Sequence, residues 1–154
     1  MQAAVTARGP SGRSSRIMLA IALLAAVGIA ISPVSLYHHF GTSKTSFCDL
    51  GPSFNCDLVN RSSYSTVLGL PVALIGVVGY LLILSLATLY REKAETPLLL
   101  LAGSLAGLIF ALYLTYIEGR VLYAWCILCL SSLATILVIT VLSGLAATGQ
   151  RQRP

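Results

Sequence analysis

The sequence predicts an all-α membrane protein, a bundle of four transmembrane helices with a partly structured outer loop between helices 1 and 2. The 154 residues are 56% hydrophobic and only 10% charged, which is more apolar surface than one soluble core can bury. The charged residues also separate four long uncharged runs, at 17–43, 62–90, 96–117 and 121–150. Each run contains the ~20 mostly apolar residues with which an α-helix crosses ~30 Å of hydrocarbon.

The predicted spans are Ile17–Tyr37, Val67–Tyr90, Pro97–Ile117 and Leu122–Ala147. These runs show no alternation of apolar and polar residues, so we expect helices, which satisfy their own backbone hydrogen bonds in lipid, and not strands. Together they form one domain, residues 17–147, between short flexible tails at 1–16 and 148–154.

Prolines and glycines mark the second and third spans. The segment GLPVALIGVVGY places Pro71 and three glycines in the first half of the second span. Small residues there permit close helix approach, and the proline predicts a bend. Thr96 and Pro97 are typical of a helix start, because threonine can cap a free amide and proline at the first helical position needs no donor.

Lysines and arginines set the predicted orientation. The two tails and the turn at 91–95 hold seven of them, against three in the other two connections. The positive-inside rule therefore places both termini in the cytoplasm. We expect a multi-pass protein of the plasma (inner) membrane, whose long connection at about 38–66 faces the extracytoplasmic side.

Four cysteines lie in two pairs on that outer side. Cys48 and Cys56 are in the outer loop, and Cys126 and Cys129 form a Cys-x-x-Cys motif in the first turns of the last helix. At ~1.5 Å per residue, Cys126 is only about 9 Å deeper than Arg120, which marks the outer end of that helix. All four thiols therefore face an oxidising compartment, where disulfides form and persist.

Three kinds of site compete for these cysteines. Two structural disulfides would explain their number. A four-thiolate metal site is disfavoured, because such sites draw on two close ligand pairs and the sequence has one. A redox relay is favoured, because Cys-x-x-Cys at a helix start lowers thiol pKa values, whereas a structural link gains little from closing so small a loop.

A relay that ends inside the membrane needs an acceptor that is present there. The sequence has no nucleotide-binding fingerprint and no nucleic-acid module, whereas a lipid-soluble quinone reaches the motif laterally. Tyr113, Tyr116, Tyr123 and Trp125 lie near the outer helix ends. We expect them to form an interfacial aromatic belt, with the lining of a flat ring pocket as the alternative.

Three segments together resemble the vitamin K epoxide reductase family, specifically its bacterial members. They are CDLGPSFNC in the outer loop, RSSYSTVLGLPVALIG entering the second helix and WCILC at the start of the fourth. The resemblance extends from Phe47 to Ser132. It implies a four-helix bundle that encloses a quinone beneath the outer loop.

The resemblance also implies a role for each cysteine. Cys126 and Cys129 would be the active-site pair, with Cys129 nearest the quinone. Cys48 and Cys56 would be the shuttle pair, with Cys56 exchanging with Cys126. Ser62 falls where the family has a serine or threonine near the quinone. The alternative role for Ser62 is a helix N-cap, for which Ser63 is an equally good candidate.

The chain departs from the family pattern in two respects. Where vertebrate members place an asparagine and a tyrosine against the vitamin, this sequence has Val72 and Leu133, so polar recognition of an epoxide is not expected. Many bacterial members carry a fused thioredoxin-like domain, whereas this sequence stops at Pro154. We therefore expect a separate thioredoxin-like protein as the partner.

The sequence thus predicts an enzyme, a quinone-dependent oxidoreductase that forms disulfides. Electrons would pass from the extracytoplasmic partner through Cys48 and Cys56 to Cys126 and Cys129, and then to menaquinone or ubiquinone. No metal and no nucleic acid is expected to take part. The alternative from another class is a non-catalytic membrane protein with two structural disulfides.

Overall fold

The computed structural model describes residues 12–41, 48, 51 and 53–151, and these residues are mostly helical. In chain order the elements are α1 (Gly12–Phe40), α2 (Cys56–Asn60), a 3-10 turn (Ser63–Ser65), β1 (Thr66–Val67), β2 (Leu70–Pro71), α3 (Val72–Thr88), α4 (Thr96–Ile117), a π-helical turn (Glu118–Leu122) and α5 (Ile127–Arg151).

Three of these helices are long and apolar enough to cross a membrane. They cover 14–40, 96–122 and 127–149. Helix α3 is apolar, but at 17 residues it is shorter than the ~20 that a span normally needs. The structure therefore confirms a membrane protein built of apolar helices and gives three of the four predicted spans full length.

Helix α3 begins at Val72 and not at the predicted Val67. The preceding residues form a short antiparallel hairpin, β1 with β2, whose turn places Leu68 and Gly69 in the left-handed region at φ 53° and 81°. Pro71 stands directly before the helix, where its missing N–H breaks no helical hydrogen bond. The bend predicted inside this helix at Pro71 is therefore wrong.

The other helix ends agree with the sequence to different degrees. Helix α4 starts at Thr96, as expected, but the Thr96 hydroxyl donates to the Tyr90 carbonyl and does not cap the helix. Helix α5 starts at Ile127, five residues after the predicted Leu122, because the chain first makes the π-helical turn. Helix α1 already begins at Gly12, so residues 12–16 of the predicted tail are helical.

The helices pack around a core in the membrane-spanning part of the fold. Helix α1 lies against α3 and α5, and α4 lies against α5 and α3. Ile21, Leu100 and Ile139 are completely buried at these contacts. Gly28 admits the ring of Tyr80, since a Cβ there would lie 2.4 Å from the ring. In α3, Gly76 similarly admits Ser32, as expected for a small residue at a helix contact.

Candidate functional site

The outer loop is closed by a disulfide between Cys48 and Cys56, whose Cα atoms are 5.6 Å apart. Both cysteines are buried. Cys56 is the first residue of α2, and Asn55 caps this helix by accepting a hydrogen bond from the Leu58 N–H at 2.8 Å. The cap fixes where α2 begins and therefore the direction in which Cys56 points.

Two backbone hydrogen bonds join the loop to the segment before Cys126. The Trp125 N–H donates to the Ser53 carbonyl at 2.9 Å, and the Asn55 N–H donates to the Trp125 carbonyl at 3.1 Å. Because Asn55 precedes Cys56 and Trp125 precedes Cys126, this bridge brings the two cysteines into one buried cluster. The loop is therefore fixed directly over the Cys-x-x-Cys motif.

The turn before the motif has an unusual backbone. After the π-helical turn, Tyr123 adopts the left-handed conformation at φ 51°, and the Ala124 N–H donates to the Glu118 carbonyl at 3.2 Å. Trp125 packs over Gly119, where a Cβ would lie 2.9 Å from its ring. A side chain at Gly119 would displace Trp125 and, with it, the bridge to the loop.

Cys126 and Cys129 are both free thiols. Cys126 immediately precedes α5 and is completely buried, and Cys129 lies in the first turn of that helix. The hydrogen bond from the Cys129 side chain lowers the pKa of the Cys126 thiol, against the opposing effects of its burial and of Glu118. Cys126 is therefore the thiol of the pair that ionises more readily than an ordinary cysteine.

Asn60 connects both cysteine pairs, a role that sequence reasoning missed. Its Nδ2 donates to the Cys56 carbonyl at 2.9 Å and to the Cys126 sulfur at 3.6 Å. Its Oδ1 accepts from the Ser35 hydroxyl at 2.6 Å, which fixes the orientation of the amide. A donor held in this way stabilises a thiolate at Cys126.

Glu118 is the second residue that sequence reasoning missed. Its side chain is buried beneath the motif, and its Oε2 accepts a hydrogen bond from the Cys126 N–H at 3.0 Å. In the sequence this glutamate only ended an apolar run. The signal that could have identified it is its position, eight residues before Cys126, on the same side of the membrane as the cysteines.

An apolar cavity of about 580 Å³ opens below this cluster, between α1, α3, α4 and α5. Its size and lining are typical of sites for small hydrophobic ligands, which need a few polar groups in a mostly apolar wall. Cys129, Ser62 and Glu118 lie in the wall, whereas Cys126 is not among the described residues that line it. A quinone ring and the start of its isoprenoid chain therefore fit the chemistry of this space.

The family model described as "Vitamin K epoxide reductase family" matches residues 19–144, which is most of the sequence. The chain belongs to the vitamin K epoxide reductase family. The resemblance first drawn from three motifs is thereby confirmed. Membership supports an oxidoreductase, and the family is in general linked to quinones.

The structure of this family member gathers all five predicted site residues at one end of the bundle. The four cysteines lie in or against one cluster, and Ser62 lies in the cavity wall with its hydroxyl donating to the Val59 carbonyl at 2.8 Å. Ser62 precedes the 3-10 turn but makes no side-chain cap. The roles implied for these residues stay predictions.

The aromatic residues near the outer helix ends lie outside the cavity wall as far as the structure describes it. Tyr113, Tyr116 and Tyr123 are exposed, as expected for an interfacial belt. Val72 does line the cavity, at a position where the resemblance places a polar contact, whereas Leu133 does not. This family member therefore presents an apolar wall at that point.

His38 and Asp57 form a polar contact at the outer end of the fold. His38 is buried and its Nδ1 lies 2.7 Å from Asp57 Oδ1, which ties the end of α1 to α2. Asp49 and Lys44, two further loop charges, lie outside the described residues. Among the described residues, no group of three or more His, Cys, Asp and Glu side chains is arranged to hold a metal ion.

Proposed function

We propose that the protein is a membrane thiol–quinone oxidoreductase that oxidises an extracytoplasmic thiol protein and reduces a membrane quinone. One observation carries the proposal. Cys126 is buried beside the Cys48–Cys56 disulfide, while Cys129, one helical turn further on, lines the apolar cavity. The pair thus contacts the loop disulfide on one side and a space suited to a quinone on the other.

The proposed reaction proceeds by thiol–disulfide exchange. A dithiol partner reduces Cys48–Cys56 through a mixed disulfide with Cys48. The freed Cys56 then attacks Cys126 of an oxidised Cys126–Cys129 pair, which forms a Cys56–Cys126 mixed disulfide and releases the Cys129 thiol. Cys48 attacks Cys56 in turn, which restores the loop disulfide and releases Cys126. The reduced pair passes two electrons and two protons to the quinone and becomes a disulfide again. The net change is one dithiol and one quinone converted into one disulfide and one quinol.

The cysteine states in the structure correspond to one step of this cycle. The loop pair is a disulfide and the Cys-x-x-Cys pair is reduced. In the proposed cycle this combination follows electron transfer from the loop and precedes reduction of the quinone. The lowered pKa of Cys126 supports its role as the thiol that exchanges with Cys56, because a thiol of lower pKa leaves a mixed disulfide faster.

The topology and partners belong to the same proposal. The distribution of lysine and arginine supports cytoplasmic termini and an extracytoplasmic loop in the plasma membrane. The partner is then a separate thioredoxin-like protein. The acceptor is menaquinone or ubiquinone, held beside Cys129 and Ser62.

Cysteine variants test the separate roles proposed for the loop pair and the Cys-x-x-Cys pair. With dithiothreitol as the reductant, Cys126→Ala and Cys129→Ala should both abolish quinone reduction. Cys48→Ala should retain it, since the small dithiol reaches the Cys126–Cys129 disulfide directly. Equal loss in all variants, each verified as folded, would contradict the proposed path.

Trapping identifies the partner and separates this function from the non-catalytic alternative. Cys56→Ala leaves Cys48 as a free thiol, which should attack the disulfide of the oxidised thiol protein and release one of its thiols. The resulting mixed disulfide should accumulate in cells, because Cys56 is absent and cannot release it. Cys48→Ala/Cys56→Ala is the matched control, because it removes the attachment point as well. A structural role for the disulfides predicts no such adduct in either variant.

A further inference from the structure

A buried carboxyl group stands between the active-site thiols and the cavity. Glu118 is only 2% exposed at the end of α4, and it forms part of the cavity wall together with Cys129. No lysine or arginine of the described residues forms an ion pair with it. A carboxyl group is seldom buried without such a partner unless it has a function.

The Glu118 carboxyl group contacts the Cys-x-x-Cys motif. Oε2 accepts the Cys126 N–H at 3.0 Å, and Glu118 lines the same cavity as Cys129. Oε1 accepts no hydrogen bond from any described residue. A glutamate needed only to hold Cys126 would use one oxygen, whereas this one keeps a second oxygen available at the cavity wall.

We propose that Glu118 is the catalytic proton carrier between the Cys129 thiol and the quinone. The inference rests on the proposed function, because it takes a quinone as the electron acceptor. Reduction of a quinone to a quinol consumes two protons, and oxidation of a dithiol to a disulfide releases two. Glu118 is placed to move protons between these two reactions without water.

The Cys129 thiol gives its proton to the Glu118 carboxylate, and the resulting thiolate supplies the electron pair that bonds to the quinone. Cys126 then attacks the Cys129 sulfur, closes the disulfide and leaves both electrons on the ring. The proton on Glu118 passes to one ring oxygen, and the proton of the Cys126 thiol supplies the other.

Few other titratable groups compete for this role among the described residues. Cys126 and Cys129 are the groups that act on Glu118 from the start of α5. Arg120, in the same turn, is exposed. His39 of α1, Tyr64 of the 3-10 turn and Tyr80 of α3 line the cavity from other elements. Tyr80 already donates to the Ser132 carbonyl at 3.0 Å.

Glu118→Gln separates proton transfer from positioning. The amide oxygen of glutamine still accepts the Cys126 N–H, but the side chain no longer carries a proton. We expect oxidation of the reduced Cys126–Cys129 pair by ubiquinone-1, followed in a single turnover, to slow by about 100-fold or more. Glu95→Gln, at the exposed opposite end of α4, is the matched control and should react at the wild-type rate.

A second measurement needs no variant. If Glu118 transfers the proton in the slow step, the wild-type turnover should be slower in D₂O. A wild-type rate for folded Glu118→Gln, or equal rates in H₂O and D₂O, would overturn the inference while leaving the proposed function intact. Wild-type protein that ubiquinone-1 does not oxidise would overturn the proposed function itself and this inference with it.

Discussion

Asn60 offers the most direct test of how the site controls its thiols. The perturbation is Asn60→Asp, which keeps the acceptor for the Ser35 hydroxyl but replaces the amide donor near the Cys126 sulfur with a carboxylate oxygen. A hydrogen bond to a charged group is worth roughly 1.5–3 kcal/mol. Because the N···S distance is 3.6 Å, we take the lower end of that range.

That free energy corresponds to a pKa increase for Cys126 of about one unit, since one unit equals about 1.4 kcal/mol. Below its pKa, the thiol would then contain about tenfold less thiolate at a given pH. Repulsion by the new carboxylate acts in the same direction. The Cys126 thiol of the variant should therefore react only at higher pH than the wild-type thiol.

The assay is the rate of iodoacetamide alkylation at Cys126, followed by mass spectrometry as a function of pH. Thr66→Ala is the control, because its exposed hydroxyl binds only the Ser63 carbonyl in the same outer segment. A midpoint for Asn60→Asp that equals the wild-type midpoint would refute the reasoning that the amide stabilises the thiolate. A shift to lower pH would refute it as well.

Three glycines give predictions about packing. Gly28→Ala should lower the free energy of unfolding by about 1–3 kcal/mol, because its Cβ would lie 2.4 Å from the Tyr80 ring. Gly103→Ala, inside α4, meets no atom within 4 Å and should not lower the melting temperature, because alanine favours a helix more than glycine does. Equal melting temperatures for the two variants would contradict the close contact of α1 with α3. Gly119→Ala should displace Trp125 and slow exchange between Cys56 and Cys126, measured by the lag before the loop disulfide reforms. An unchanged rate would show that the Trp125 bridge does not position the loop.

The length of the uncharged runs predicted the apolar helices, because the thickness of the membrane alone sets how many apolar residues a span needs. The third uncharged run and helix α4 both end at Ile117, because charged residues follow it. Pro97 marks the start of both. The pairing of Cys48 with Cys56 could also be predicted from the sequence, because the two residues are close in the chain.

The helix starts at the outer end were not predictable in the same way. Helix α3 starts late because Leu68 and Gly69 form a hairpin turn. Helix α5 starts late because Trp125 pairs with the loop near Ser53, more than seventy residues earlier in the chain. Local sequence does not show such a contact, and tertiary packing overrides helix propensity there.

The same limit applies to the site. The cysteines were recognisable as a motif, whereas Asn60 and Glu118 acquire their roles from contacts across the fold. Asn60 is an ordinary polar residue at the end of a short helix in the sequence. It becomes a thiolate donor only because the loop lies over Cys126.

The most direct test of the central claim is a count of thiols and quinol in one turnover. Protein reduced with dithiothreitol, freed of reductant and mixed with one equivalent of ubiquinone-1 should form one quinol per disulfide, both measured in the same sample. The disulfide should be found at Cys126–Cys129 or, after exchange with the reduced loop, at Cys48–Cys56. Folded protein that keeps all its thiols reduced and forms no quinol would contradict the claim that the Cys126–Cys129 pair delivers electrons to a membrane quinone.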